Sequence, residues 1–153
     1  MMILFWCVSF LLVAWFAIVL GNYLTHPPRD LGIVNQKLSA CPDSPNCVCS
    51  QCESPTQLIE PIRYSGTAEQ ARQRLSQILS RQTGCRIITQ EGDYLHAEFR
   101  SFCFRFVDDV EFLIDSRQNV IQVRSASRVG YSDLGANRKR IEALRKRYAD
   151  SND

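Results

Sequence analysis

Between Met1 and Leu20 the chain carries no charged residue, and the first formal charge of either sign is Arg29. At 1.5 Å rise per residue, a helix of about 20 residues spans about 30 Å, the thickness of a hydrocarbon core. Within residues 3–20, twelve residues are Ile, Leu, Phe or Val and only Ser9 is overtly polar. Such a composition favours bilayer insertion by about 4–7 kcal/mol in summed residue preferences, as an upper bound. A single-pass transmembrane helix is therefore expected within residues 1–24, with membrane lipid as its partner. A connector at 25–37, one folded domain at 38–150 and a tail at 151–153 follow.

The competing reading is a cleaved secretory signal, which needs a basic start and a shorter apolar centre. The chain starts Met-Met-Ile-Leu, with no Lys or Arg, so retention as an anchor in the cell membrane is expected. Leu38-Ser39-Ala40-Cys41 has the pattern of a lipoprotein processing site. That chemistry needs the cysteine directly behind the apolar stretch, whereas Pro27, Pro28, Arg29 and Asp30 are among the residues that intervene. Sidedness stays open: Arg29 and Lys37 pull the domain toward the cytoplasm by the positive-inside rule. Seven cysteines pull it toward an oxidising compartment.

Behind the connector lie about 110 residues, enough for one compact domain and too few for two. The formal net charge of +2 gives no global electrostatic case for nucleic acid, and none is expected as a partner. Locally, Arg138, Lys139, Arg140, Arg145, Lys146 and Arg147 stand against only Glu142. Such a basic helix face is either solvated or drawn to anionic headgroups.

Leu38 to Thr56 holds Cys41, Cys47, Cys49, Cys52 and three prolines, a composition that suits an irregular, covalently or metal-braced loop. Leu58 to Tyr64 alternates as a strand. Thr67-Ala68-Glu69-Gln70 is a capping box that opens a helix with Ala71, Leu75, Ile78 and Leu79 at helical spacing, and Gly84 is placed to end it. The period then switches from 3.6 to 2. Strands are expected at 86–90 and 94–100 around Glu91-Gly92-Asp93, then a long strand with Phe104, Phe106, Val110, Phe112 and Ile114 on one face. Asp108 shares that face unless a bulge turns it outward, and the bulge is the expectation. A last strand runs from Val120 to Arg128, and a closing helix carries Leu134, Ile141, Leu144 and Tyr148 as its buried stripe. The order β-α-β-β-β-β-α with short strand connections predicts an α+β fold: a two-layer sandwich of an antiparallel sheet and two helices, behind the transmembrane helix.

Several long segments now combine. Cys41-Pro42-Asp43-Ser44-Pro45-Asn46-Cys47-Val48, Leu95-His96-Ala97-Glu98-Phe99-Arg100, Phe106 to Phe112, and Arg124-Ser125-Ala126-Ser127-Arg128-Val129-Gly130-Tyr131-Ser132-Asp133-Leu134-Gly135 with Asn137-Arg138 resemble the domain-of-unknown-function family 1499. The resemblance covers about Leu38 to Tyr148. It implies an often membrane-associated bacterial protein and brings no established activity, catalytic residue or cofactor.

Two constellations could carry chemistry. In the first, Cys41 and Cys47 would close a Pro-containing loop as a disulfide. The competing metal reading has only Cys49 and Cys52 at a standard ligand spacing, so no metal is expected. Thiol catalysis in the Cys41 to Cys52 segment would draw on His96, a residue expected to be solvated on an exposed strand face. In the second, Arg124, Arg128, Tyr131, Asp133, Asn137 and Arg138 surround a turn into a helix N-terminus, a place that favours anions. Converging arginines there would hold phosphate or carboxylate in bidentate geometry. The structural alternative pairs Arg124 and Arg128 with Glu98, Asp109 or Glu111 and makes Asp133 the helix cap. The leading functional expectation is a membrane-anchored accessory domain that recognises a small anion, a lipid headgroup or a protein partner. A Cys-based redox or metal-dependent enzyme and a purely structural scaffold are the alternatives.

Overall fold

The computed structural model describes residues 2–151; Met1 of the expected anchor and Asn152 and Asp153 of the expected tail lie outside the described residues. Helix α1 (Met2–Tyr23) leads into a two-stranded hairpin, β1 (Ile33–Val34) and β2 (Lys37–Leu38). The domain follows as β3 (Cys47–Cys49), β4 (Ile62–Arg63), α2 (Ala68–Ser80), β5 (Cys85–Glu91), β6 (Tyr94–Arg100), β7 (Val107–Asp115), β8 (Val120–Ser127) and α3 (Ala136–Asp150). The order in the main sheet is β3-β8-β7-β6-β5, with β4 also paired to β8, and every pairing between these strands is antiparallel. It is the α+β sandwich that the switch of period and the short connections predict.

Helices α2 and α3 cover one face. Val110, Phe112 and Ile114 of β7 and Ile121 and Val123 of β8 meet Ala71, Leu75 and Leu79 of α2 and Ile141, Leu144 and Tyr148 of α3 in a single core. The capping box forms as read: Gln70 N–H donates to Thr67 Oγ1 at 3.2 Å and Thr67 N–H to Gln70 Oε1 at 3.0 Å, which satisfies two donors that the first helical turn leaves free.

The structure corrects several local expectations. Cys47–Cys49 is a buried strand on β8 rather than irregular chain; its apolar signal is carried by cysteines, and the nearby prolines mask it. The strand expected over 58–64 contracts to Ile62–Arg63, with an isolated bridge at Leu58. Leu134 does not join the buried stripe: it precedes α3 with φ +53° and points to solvent, while Asn137 takes the first buried position. Phe104 and Phe106 lie outside β7, in the exposed β6–β7 turn. Asp108 does not bulge outward. Its pairing with Phe99 and Ser127 is regular, and Arg140 Nη2 reaches down from α3 to its Oδ2 at 2.5 Å. A buried carboxylate is tolerable when a guanidinium neutralises it, so the partner removes the need for a bulge. The irregularity of the sheet lies instead in β5, between Ile87 and Thr89.

The opposite face is neither bare nor apolar. Residues 25–40 run across it as a strap, held by Arg128 on Thr25 O (3.3 Å), by Gly32 N–H on Glu111 (2.6 Å) and by Gln51 on Leu38 N–H (3.0 Å). Its hairpin turns at Asn35 and Gln36, both at positive φ (51° and 65°), the requirement of a type I′ turn.

Candidate functional site beneath the connector

Paired residues of neighbouring antiparallel strands point to the same face. Register therefore aligns His96, Glu111, Arg124 and Cys49 in one row across the strap face, and Glu98, Asp109, Ala126 and Cys47 in the next. These side chains form a buried charged layer. Arg124 Nη1 donates to Glu111 Oε2 at 2.8 Å, and Tyr94 OH to Glu111 Oε1 at 2.8 Å. Arg128 grips Asp109 bidentately, Nε to Oδ2 and Nη2 to Oδ1, both at 2.7 Å, and also bonds Glu98. Arg100 adds a 3.1 Å bond to Glu98. His96 is buried rather than solvated, with Nε2 2.8 Å from Asp109 Oδ1.

Charge pairing of this kind shifts titration. Burial by itself raises the Asp109 and Glu98 pKa values, but the bonds from Arg128, with His96 on the first and Arg100 on the second, outweigh it and leave both carboxyls below their ordinary range. For Arg128, burial pulls downward and the two carboxylates outweigh it, so its pKa is raised.

Of the six residues expected to form an anion cradle, only Arg124 and Arg128 share the strap face. Together with His26, Pro28, Asp30 and Asp109 they line a cavity of about 240 Å³. Arg128 is engaged at every nitrogen, Nε and Nη2 by its carboxylates and Nη1 by Thr25 O. Arg124 is not: it is 2% exposed, its Nε has no hydrogen-bond partner among the described residues, and its Nη2 faces Asp30 at only 3.5 Å.

Asp133, Asn137 and Arg138 sit at α3, behind the sheet. Asp133 supplies the negative charge that the helix N-terminus attracts, accepting from Gly135 N–H (3.0 Å) and Asn137 N–H (2.7 Å). Burial raises its pKa, and these backbone bonds more than reverse the effect. Asn137 is fully buried: Nδ2 donates to Asn46 O, Ser127 Oγ and Asp133 Oδ2, each at 2.9 Å, while Oδ1 accepts from Ser125 Oγ at 2.5 Å and Arg140 Nη1 at 2.8 Å. Arg138 Nη2 donates to Thr56 O and Leu58 O at 2.9 Å each, tying α3 to the cysteine-rich segment. Tyr131 points to solvent. This second cluster locks segments together and leaves its helix N-terminus occupied. Asn46, whose amide donates to Gly130 O at 2.6 Å, is the member that composition and spacing did not single out.

Cys41 and Cys47 form a disulfide with a Cα–Cα distance of 5.7 Å. Cys49 is a free thiol pushed up to about 12 by burial. Three strand steps of about 4.8 Å separate it from His96, about 14 Å, so the two do not form a thiol–imidazole pair. Among the described residues no group of three His, Cys, Asp or Glu converges as a metal site.

Over residues 37–147 the chain matches the family described as "Protein of unknown function (DUF1499)". It belongs to that family. No curated protein and no solved structure matches the chain. The segments that carry the resemblance, around Asn46, Asp109, Ser125 to Arg128 and Asn137, meet as the charged layer on one face of β8 and the Asn137 cluster on the other. A fold and a family without an assigned activity leave function to be argued from these sites.

Proposed function

We propose that this DUF1499 chain is a single-pass membrane-anchored accessory domain that binds a ligand rather than transforming one. The observation that carries the reading is α1. Phe5–Tyr23 is long and apolar enough to cross a bilayer, and only 6% of it is buried against the rest of the chain. A core helix would bury that surface; this one keeps it for lipid, where burial of apolar area is favourable. Alkaline extraction of membranes carrying the full chain tests it: the protein is expected to stay in the pellet, and release into the supernatant would contradict anchoring.

The unsatisfied Arg124 favours a small oxyanion, phosphate or carboxylate, as the ligand of the cavity under the strap. Asp30, whose side chain is 60% exposed, holds Arg124 loosely and gives way to the incoming anion. Buried guanidinium donors without acceptors are costly, which supplies the drive. In detergent-solubilised full chain, inorganic phosphate is expected to raise Tm by several degrees, Asp30→Ala to strengthen the effect and Arg124→Gln to abolish it. No shift in either wild type or Asp30→Ala would refute the anion. The Cys-based alternative is disfavoured by the buried, protonated Cys49 and its distance from His96.

A further inference from the structure

The β6–β7 turn, Ser101 to Phe106, is exposed along its whole length and carries three phenylalanines. Phe102 is 92% exposed, and Phe104 and Phe106 are also open to solvent. The loop after β8 comes to the same end of the sheet: Phe106 and Val129 line one cavity of about 220 Å³. It adds Tyr131 at 75% and Leu134 at 89% exposure, the latter held outward at positive φ. Isolated exposed apolar residues need no explanation, but a contiguous aromatic tip marks an interaction surface.

Its neighbour identifies the occupant. Asn22, buried at the end of α1, donates to Phe104 O at 2.8 Å, and Trp15 Nε1 donates to Cys103 O at 3.1 Å. Asn22 lies one residue and Trp15 eight residues before Tyr23, so the turn lies along the last two turns of α1 and reaches, at Cys103, about 12 Å below the helix's C-terminal end. With α1 across a bilayer, that level is acyl chain. The indole N–H and the carbonyl satisfy each other there, as polar groups in hydrocarbon must. Arg105, in the same turn and exposed, has a side chain long enough to reach back toward the headgroups.

We infer that the Phe102–Phe104–Phe106 turn, with Tyr131 and Leu134 at its rim, inserts into the same bilayer that α1 crosses and seats the domain on the membrane at a second point. This rests on the anchoring proposed above. The domain then stands with its β6–β7 end in lipid and the β7–β8 turn, at the other end of β7, in water. Aromatic rings are well suited to the membrane interface and define an orientation that a flexible tether alone cannot.

The test uses the full chain in phosphatidylcholine vesicles, with Cys7, Cys52, Cys85 and Cys103 replaced by Ser and a polarity-sensitive fluorophore on Phe102→Cys or on Ser116→Cys. At position 102 the probe is expected to be quenched severalfold by lipids brominated in their acyl chains and shielded from aqueous iodide; at 116 the reverse. A probe at 102 that iodide quenches as strongly as at 116, in protein that floats with the vesicles, overturns the insertion alone and leaves a protein partner as the occupant of the tip. Protein that does not float overturns the anchoring as well. Amide exchange in the unsubstituted chain reads the same insertion without mutation. Exchange at 102–105 is expected to be at least tenfold slower in vesicles than at 116–119, although Asp115 already holds the amides of Arg117 and Gln118, and equal rates overturn the inference.

Discussion

Arg128 uses its guanidinium wholly inside the fold, on Asp109, Glu98 and the carbonyl of Thr25. Removing one partner of a buried pair leaves the other charge stranded and costs about 3–5 kcal/mol, so Asp109→Asn is expected to lower stability by that amount in urea denaturation. The pH dependence follows from the same pair. Carboxyls held below their ordinary range contribute stability that is present above their unfolded pKa of about 4 and lost as pH falls through the folded value. Tm is therefore expected to stay level from pH 8 to 5 and to fall below about pH 4, with a shallower fall in Asp109→Asn; identical slopes would contradict the assignment. Asn137→Ala, which strands four partners on three segments, is expected to cost about 3 kcal/mol. Little of this is legible in the sequence. Alternation places Asp109, Glu111, Arg124 and Arg128 on a common face, but nothing in the composition of the connector shows where it lies, so that face reads as open. Once the strap covers the sheet, His96 must be buried and paired.

Among the elements, helices and hairpins with local signals are readable and those set by tertiary contact are not. The Thr67 capping box lies within four residues and forms as its spacing predicts; Thr67→Ala is expected to cost about 1 kcal/mol. Leu134 fits the helical spacing and so places the start of α3 too early, whereas the left-handed backbone at Leu134 and Gly135 delays the helix to Ala136. The strand Cys47–Cys49 depends on β8 for its backbone bonds, a partner far away in sequence. The β1–β2 turn lacks the Asn-Gly signature of a type I′ turn, since Gln36 stands where glycine is favoured. Gln36→Gly is thus expected to stabilise the chain by about 0.5–1 kcal/mol, relieving a left-handed non-glycine residue, and a loss of stability in thermal melts would contradict that turn.

Across the whole molecule, an apolar helix, a strap and a sandwich are stacked so that each covers part of the next: α1 hydrogen-bonds to the β6–β7 turn, the strap roofs the charged layer, and the helices roof the apolar core. The thiols differ in kind. Cys49, pushed up to about 12, is expected to resist iodoacetamide at pH 8 by orders of magnitude relative to the same thiol in urea-unfolded protein, as mass spectrometry will read. The seating of the aromatic turn in lipid depends on α1 being retained as an anchor. Intact mass spectrometry of the chain recovered from alkali-washed membranes decides whether it is. A species of 17.5 kDa carrying residues 2–23 is expected, while a product shortened by about 20 residues, or recovery of the protein only outside the membrane fraction, would contradict retention.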